Sequence, residues 1–350
     1  MRTARLCAAL PLGALHAASE RRRAACDLRH YNSSQARDAR WYREQAEHVA
    51  LGLSLVDEAR AGWWHEVTRR YRQGEAVDLA DAGGVTVLHL AAKAGRRRIV
   101  EELLSRGAAY TADGHGRTPL LAAAASGQTS VATTLLEAKV ADVNEADATG
   151  ATALLLAAQA GHAQMARALL ARPELDPNKA DSYGVAPLHK ATSFGHVAVV
   201  EALLEDARVQ VDLDVGTPSV PDSYHALSGH ETALHLAAGH TYHFNHTKHT
   251  RIAKSLLSAG ADPNKRCGNG LSAAHRAARA NNVGVLHELI ACGRVDWDAK
   301  DSEGHTARDI ATQQGHSEAA TLLHAAARRT SLLRRTTSSH NAPRPGRESA

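Results

Sequence analysis

Residues 81–96 read DAGGVTVLHLAAKAGR, and the pattern of this segment returns six more times along the 350-residue chain. The later copies are DGHGRTPLLAAAASGQ (113–128), DATGATALLLAAQAGH (147–162), DSYGVAPLHKATSFGH (181–196), SGHETALHLAAGH (228–240), CGNGLSAAHRAARANN (267–282) and DSEGHTARDIATQQGH (301–316). The positions equivalent to Thr86 are separated by 32, 34, 34, 46, 40 and 34 residues. A period of this length predicts short structural units that pack on their neighbours.

Each recurring letter has a physical reason. An Asp and a Gly form a tight turn, and a Thr such as Thr118 accepts a hydrogen bond at the start of a helix. Pro119 fits the first helical position, and Gly161 suits the left-handed residue that ends a helix. A second helix follows each first one, and paired leucines mark its buried side at 103/104, 135/136, 169/170, 203/204, 256/257 and 322/323. One unit alone cannot bury that side, so the units must stack.

These segments resemble the ankyrin repeat family. The resemblance implies an all-α fold, an ankyrin-repeat solenoid of about eight stacked helix-turn-helix units with β-turn or hairpin loops. It covers residues 50–327, with a degenerate first repeat at 55–80 and repeats that begin at residues 81, 113, 147, 181, 228, 267 and 301. Residues 1–49 are expected to be a leader and helical extension, partly disordered or targeting. Residues 328–350 are expected to be a basic, Ser/Thr-rich disordered tail.

Composition and charge exclude several classes of protein. The net charge of +4 comes from the two ends, because residues 1–50 carry +4 and residues 325–350 carry +5, which leaves −5 for the body between them. A mildly acidic body argues against nucleic acid as a partner. No run of apolar residues is long enough to span a membrane, so we expect no membrane insertion. The four cysteines include no close pair, which disfavours a disulfide scaffold or a four-cysteine zinc site.

The N-terminal segment leaves the compartment open. Residues 1–19, MRTARLCAALPLGALHAAS, hold two Arg, no acidic residue and a short apolar stretch. An unprocessed disordered leader, an organellar transit peptide and a secretory signal all fit this composition. We expect a cytoplasmic or nuclear protein unless residues 1–19 direct it to an organelle or the secretory route.

The sequence contains no recognisable catalytic arrangement, because phosphate-binding, nucleophile-elbow and zinc-protease motifs are absent. We therefore expect no enzyme activity and no cofactor. The histidines of the second insertion, His240, His243, His246 and His249, form the one candidate metal site. A spacing of three drifts by about 60° per step on an α-helix, so four imidazoles would share a face only in a tighter helix or a loop. Structural or solvent-exposed histidines are the alternative.

The sequence predicts a non-enzymatic protein-interaction module, an adaptor or scaffold that acts as a monomer on a protein partner. The alternative is a metal-binding or metal-sensing protein that uses the histidines of the second insertion. Two insertions, near 207–227 and 239–250, enlarge adjacent repeats and carry aromatic residues that would serve as contact anchors. Packing of the insertions against the repeats is the alternative. The residues expected to touch the partner are Lys93, His115, Arg117, Tyr183, Phe194, Tyr224, Tyr242, Phe244 and Arg279.

The C-terminal tail also holds two candidate modification sites. Arg328-Arg329-Thr330-Ser331 and Arg334-Arg335-Thr336-Thr337 resemble the Arg-Arg-x-Ser/Thr sequence that basophilic kinases read. Phosphate on Ser331 and Thr337 would cancel most of the positive charge of the tail. A solvated basic tail with chance matches is the alternative.

Overall fold

Short α-helices in consecutive pairs make up the structure, a computed structural model that describes residues 54–76, 79–212, 230–239 and 246–340. The described residues form sixteen helices and no extended strand. The pairs are α1 Leu55–Ala61 and α2 Trp64–Arg72, α3 Val87–Lys93 and α4 Arg97–Ser105, α5 Pro119–Ala125 and α6 Thr129–Glu137, α7 Ala153–Ala160 and α8 Ala163–Leu170, α9 Pro187–Ser193 and α10 Val197–Leu204, α11 Ala233–Gly239 and α12 His246–Ser258, α13 Ala273–Arg279 and α14 Val283–Cys292, and α15 Ala307–Gln313 and α16 Ser317–His340.

The chain divides into two units, Met1–Leu90 and Ala91–Ala350. In the first unit, α1 begins with a reciprocal pair of hydrogen bonds between Ser54 and Asp57. Its helices are joined by a buried ion pair, because Glu58 accepts from Arg70 at 2.7 Å. Arg70 also donates to Glu75, so its guanidinium links α2 both to α1 and to the segment that follows α2.

In the second unit, the recurring residues of the repeat pattern cap the helices and fill the core, as the sequence predicts. Thr118 and Thr152 cap the first helices of their repeats by accepting from Leu121 and Leu155 backbone N–H groups at 3.3 and 3.2 Å. Leu154 is fully buried, as are the Ala pairs that let neighbouring helices approach. Helices of seven to ten residues are marginal by themselves, so this packing supplies most of their stability.

Hairpin-like loops connect the repeats. In one of them the Asp147 carboxylate accepts from the backbone N–H groups of Thr149 and Ala151, at 2.8 and 3.0 Å. The loop closes with an isolated antiparallel bridge between Ala146 and Thr152. The expected all-α ankyrin architecture with hairpin loops is therefore confirmed.

The C-terminal end differs from the expectation of a disordered tail from residue 328. Helix α16 continues through this point to His340. Residues 317–327 are rich in Ala and Leu and start the helix, and no proline interrupts the chain before Pro343.

Candidate functional site

Two exposed aromatic side chains stand at opposite ends of one helix. Tyr183 lies in the loop before α9 and is 46% exposed, whereas Phe194 follows the last residue of α9 and is 50% exposed. The seven residues of α9 separate them by about 10 Å along the helix axis. The two residues therefore belong to different edges of the fourth repeat, although the sequence groups them in one surface.

Phe194 is held in place by its neighbour His196. The two rings are stacked, with their centroids 6.1 Å apart and their planes 9° from parallel. The imidazole Nε2 of His196 lies 3.0 Å from the carbonyl of Gln159 in the third repeat, which fixes the ring to the preceding repeat. Phe194 thus remains half-exposed to solvent, and its ring is held by a histidine that is itself bound to the preceding repeat.

The second insertion ends in a helix that packs on both adjacent repeats. Helix α12 begins at His246 and is longer than the second helices of repeats one to four. His249 is only 2% exposed, and its Cε1 atom lies 3.3 Å from the place where a Cβ would stand on Gly195. Thr250 lies against Gly284 of the sixth repeat in the same manner. The start of α12 is therefore built into the stack, as the packing alternative expects for this part of the insertion.

The position of His249 bears on the metal site that the sequence suggests for the four histidines of the second insertion. His240 and His243 lie outside the described residues, and so does the side chain of His246. His249 occupies the position against the preceding glycine that His162 and His196 occupy in earlier repeats. Within the described ranges, no three His, Cys, Asp or Glu side chains are arranged to hold a metal ion.

The other residues predicted to touch a partner are scattered. Lys93 and Arg279 are exposed at the ends of α3 and α13, and His115 and Arg117 are exposed in the loop before α5. The backbone of that loop is tied to the next one, because the carbonyl of His115 accepts from Ala148 N–H at 3.0 Å. Three further candidates, Tyr224, Tyr242 and Phe244, lie outside the described residues. Ser331 and Thr337 fall within the range of α16.

In the fifth and sixth repeats, the buried histidine of the pattern holds the first helix and ties it to the following repeat. The Nδ1 of His235 accepts from Thr232 N–H at 3.2 Å, and its Nε2 lies 3.1 Å from the carbonyl of Leu271. His275 repeats this arrangement with Ser272 and with the carbonyl of Ala299. Burial lowers the pKa of His275, which keeps its imidazole neutral.

Sequence reasoning missed a row of side-chain clamps between successive loops. The amide of Asn144 donates to the carbonyl of Glu174 at 2.7 Å and accepts from Asp176 N–H at 2.8 Å. Asn178 and Asn264 make the same pair of bonds to the loops that follow them. The recurring D-V-N and D-P-N triplets were the available signal.

Asp212 occupies the corresponding position between the fourth and fifth repeats. Its carboxylate accepts from Asp262 N–H at 3.1 Å, but a carboxylate has no N–H to donate in return. This clamp is therefore incomplete, and Asp212 lies within the range of the first insertion, near 207–227.

Sequence reasoning also missed a polar cluster that joins the end of the first repeat to the second repeat. The carboxylate of Glu145 accepts from the hydroxyls of Tyr110 and Thr118. Burial raises the pKa of Glu145 above its usual range, and burial together with the nearby carboxylate raises that of Tyr110. All three residues are half-buried and bound to one another, which indicates a structural role.

A profile described as "Ankyrin repeats (3 copies)" matches residues 65–147, 139–215 and 234–331, which together exceed half of the chain. The chain belongs to the ankyrin repeat family. Ankyrin repeats are in general protein–protein interaction modules. The part of the chain that the structure describes includes no helix that is both long and apolar enough to cross a membrane.

Named relatives share only a few ankyrin repeats with this chain. Human Rabankyrin-5 is 36% identical over 95 residues, which are 25% of this chain and 8% of that protein. Mouse Rabankyrin-5 is 37% identical over 87 residues, 24% of this chain and 7% of that protein. The bovine Protein fem-1 homolog A is 38% identical over 74 residues, 21% of this chain and 11% of that protein. The chain thus spans about a tenth or less of the length of each relative.

Proposed function

We propose that this protein is a non-enzymatic adaptor or scaffold that binds a protein partner at one edge of repeats four and five. This edge consists of Phe194, Gly195 and the first turn of α12, and we call it the turn edge. The observation that carries the proposal is that Phe194 is half-exposed and that the next residue, Gly195, is packed against the buried His249. This contact brings the start of α12 to the same edge as Phe194.

The first turn of α12 is held by the repeat stack. Gly239 ends α11 and His246 begins α12, and α12 is fixed against Gly195 and Gly284 by two of its first-turn residues. Tyr242 and Phe244 lie outside the described residues, and we include them as two further aromatic contacts on the basis of the sequence alone.

Several features of the proposed partner follow from the chain. The acidic body disfavours nucleic acid, and the exposed ring favours a protein surface. We propose that the protein acts as a monomer without enzyme activity, in the cytoplasm or nucleus. The roles of Rabankyrin-5 and the fem-1 homolog are not transferred, because the shared segments cover so little of those proteins.

The experiment is affinity capture with the full chain, followed by mass spectrometry of the captured proteins. The test variant carries Phe194→Ser, Tyr242→Ser and Phe244→Ser. A deletion of residues 241–247 would also remove Tyr242 and Phe244, but it would take away His246 and Thr247, the first two residues of α12. Point substitutions avoid this damage to the helix. Tyr183→Ser is the matched control, since it removes an equally exposed aromatic ring from the other end of α9.

The proposal expects that a set of proteins captured by the wild type is lost from the triple variant and kept by the control. Helical circular dichroism and the urea midpoint should stay close to wild type in both. Retention of the captured set by a folded triple variant would place the binding surface elsewhere. Unfolding of the triple variant would show that these aromatics pack the insertion.

A further inference from the structure

The turn between α3 and α4 carries a cluster of four exposed cations. Lys93 is the last residue of α3, and Arg96, Arg97 and Arg98 begin α4. No acidic residue lies between Lys93 and Arg98. Among the described residues, neither Lys93 nor Arg98 has a carboxylate within ion-pair distance, whereas Arg97 pairs with Glu101 at 2.7 Å. We call the four cations the basic turn.

The basic turn sets the first repeat apart from the others. When the repeats are aligned on their first helices and on the paired leucines of their second helices, no other repeat has more than one Lys or Arg at these four places. The single cations are Arg251 in the fifth repeat and Arg279 in the sixth. The ankyrin fold therefore does not require positive charge at this turn.

Helix stability does not explain the basic turn either. The dipole of a helix disfavours positive charge on its first residues, and three of the four cations stand there in α4. Within the described part of the chain, no side chain caps the start of α4 to offset this effect. The three arginines thus weaken the helix that carries them, which indicates a role in contact with something outside the stack.

The backbone below the four cations is firmly held. Hydrogen bonds close the turn, from Gly95 N–H to the Ala92 carbonyl at 3.2 Å and from Arg96 N–H to the Ala91 carbonyl at 2.9 Å. Ala91 and Ala92 are fully buried, and the Gln128 side chain of the second repeat lies against Gly95. A ligand therefore does not have to order this backbone when it binds.

The basic turn lies apart from Phe194. In repeats one to three, each such turn is covered by the side chain that begins the next second helix, through the pairs Gln128–Gly95, His162–Gly127 and His196–Gly161. The turns of repeats one to four thus follow one another in a row, with the basic turn first and Phe194 in the fourth. At about 8 to 10 Å per repeat, the two are roughly 25 to 30 Å apart.

The charge of the body selects the kind of partner. Residues 51–324 carry a net charge of −5 although they include the basic turn. An extended polyanion such as nucleic acid or an anionic membrane would meet this surrounding negative charge, whereas a short acidic segment would meet only the charges within about 8 Å of it. Three of the four cations are arginines, whose planar guanidinium groups bind carboxylates through two parallel hydrogen bonds.

We infer that the basic turn binds a short acidic segment of a partner protein, through ion pairs and hydrogen bonds from its guanidinium and ammonium groups to Asp and Glu carboxylates. The site is separate from the turn edge, so the inference does not rest on the proposed function. Each exposed charge pair adds little affinity, so the four cations act mainly on selectivity and on the rate of association.

The test uses the full chain and a fluorescein-labelled, glutamate-rich peptide of about six residues. A peptide of this length extends over at most roughly 21 Å, so it cannot reach both the basic turn and Phe194. The reference peptide has glutamine in place of every glutamate, and binding is followed by fluorescence anisotropy. We expect the wild type to bind the acidic peptide roughly tenfold or more tightly than the reference, with a difference that shrinks as salt is added.

Three variants separate the basic turn from general charge and from the turn edge. Lys93→Glu with Arg98→Glu should raise the Kd for the acidic peptide by roughly tenfold or more. The urea midpoint of this variant should not fall, because a glutamate suits the start of α4 better than an arginine does. Lys248→Glu with Lys254→Glu makes the same charge change at exposed residues of α12 and should alter the Kd by less than about twofold. Phe194→Ser should leave the Kd unchanged.

Equal binding of the two peptides, failure of both to bind, or equal effects of the two charge variants would overturn the inference. Weaker binding to Phe194→Ser would overturn the assignment of the peptide to the first repeat. Binding of phosphatidylserine vesicles that is lost in Lys93→Glu/Arg98→Glu, with no peptide binding, would overturn the inference in favour of a lipid surface. Protein capture by the triple aromatic variant tests the proposed function independently of each of these results.

Discussion

His249 of the fifth repeat lies against Gly195 of the fourth, with its imidazole Cε1 atom 3.3 Å from where a Cβ on that glycine would stand. In the third and fourth repeats, the histidine that follows the helix-ending glycine makes the equivalent contact with the preceding repeat. The fifth repeat makes the contact from the first turn of α12, after an insertion. The fold has therefore kept the contact while changing the residue that supplies it.

His249→Ala should destabilise the protein by about 1 to 3 kcal/mol, because it removes a buried ring from the junction of two repeats. Lys248→Ala, one residue earlier and exposed, is the control and should change the free energy of unfolding by less than about 0.5 kcal/mol. Urea denaturation followed by circular dichroism measures both. Equal stability of His249→Ala and wild type would contradict the packing assigned to this residue.

Leu154→Ala tests the core of the third repeat. The side chain is fully buried, so its truncation should cost about 2 to 5 kcal/mol through lost burial and the cavity that remains. The effect should spread to neighbouring repeats, because each one is stabilised by its interfaces. An unchanged denaturant midpoint would refute the core assignment.

Asp212→Asn should stabilise the junction between repeats four and five by about 0.5 to 1.5 kcal/mol. An asparagine there could donate to the carbonyl of Gly260, as Asn178 donates to the carbonyl of Arg208. The reverse change, Asn178→Asp, removes that donor and should destabilise by a similar amount. Thermal or urea unfolding of the two variants checks the prediction, and shifts in the same direction would disprove the clamp.

Stability should fall in mild acid because of His275. Its pKa is lowered in the folded state, so the unfolded chain, with a pKa of about 6.5 at this residue, takes up the proton first. The contribution is complete above about pH 6.5 and is lost as the pH falls from there towards the folded pKa.

The measurement for His275 is the urea midpoint between about pH 7.5 and 5.5, in wild type and in His275→Leu. Leucine occupies the same motif position in repeats two and three, as Leu121 and Leu155, so the variant suits the fold. The variant should lose less stability on acidification than wild type. Parallel curves would show that His275 does not contribute to the pH dependence.

Ser331 and Thr337 should accept phosphate from a basophilic kinase, since each follows an Arg-Arg-x sequence. Both fall within the range of α16, so their modification should require local opening of the helix end and should be slower than in the isolated peptide. Phosphopeptide mass spectrometry with Ser331→Ala and Thr337→Ala as controls provides the check. Absence of phosphate on the intact chain, with the isolated peptide modified, would show that the sites are not accessible.

The repeated elements could be predicted from the sequence because each one depends on local chemistry. Thr118 as a cap and Gly161 as a left-handed end need only their own neighbours in the chain. The same reasoning explains the sixth repeat, where Asn281 adopts a positive φ of 51° and Asn282 reaches the carbonyl of Ala237 at 3.4 Å. The sixth repeat thus has Asn281-Asn282 where the third and fourth repeats have Gly-His, and the two asparagines perform the same tasks.

The candidate site could be predicted only in part. Phe194 and Tyr183 were identified as exposed aromatics, but their separation depends on where α9 begins and ends in space. The role of His249 depends on Gly195, which is distant in the chain, and no local pattern encodes that contact.

The incomplete clamp at Asp212 has a mechanical consequence. Under a load that slides one loop past the next, the clamps at Asn144, Asn178 and Asn264 each resist with a donor and an acceptor, whereas Asp212 resists with acceptors alone. Rupture under such tension should begin between repeats four and five. A partner that grips Phe194 and α12 together would span this weak joint, so a bound chain should withstand a greater pulling force than a free one.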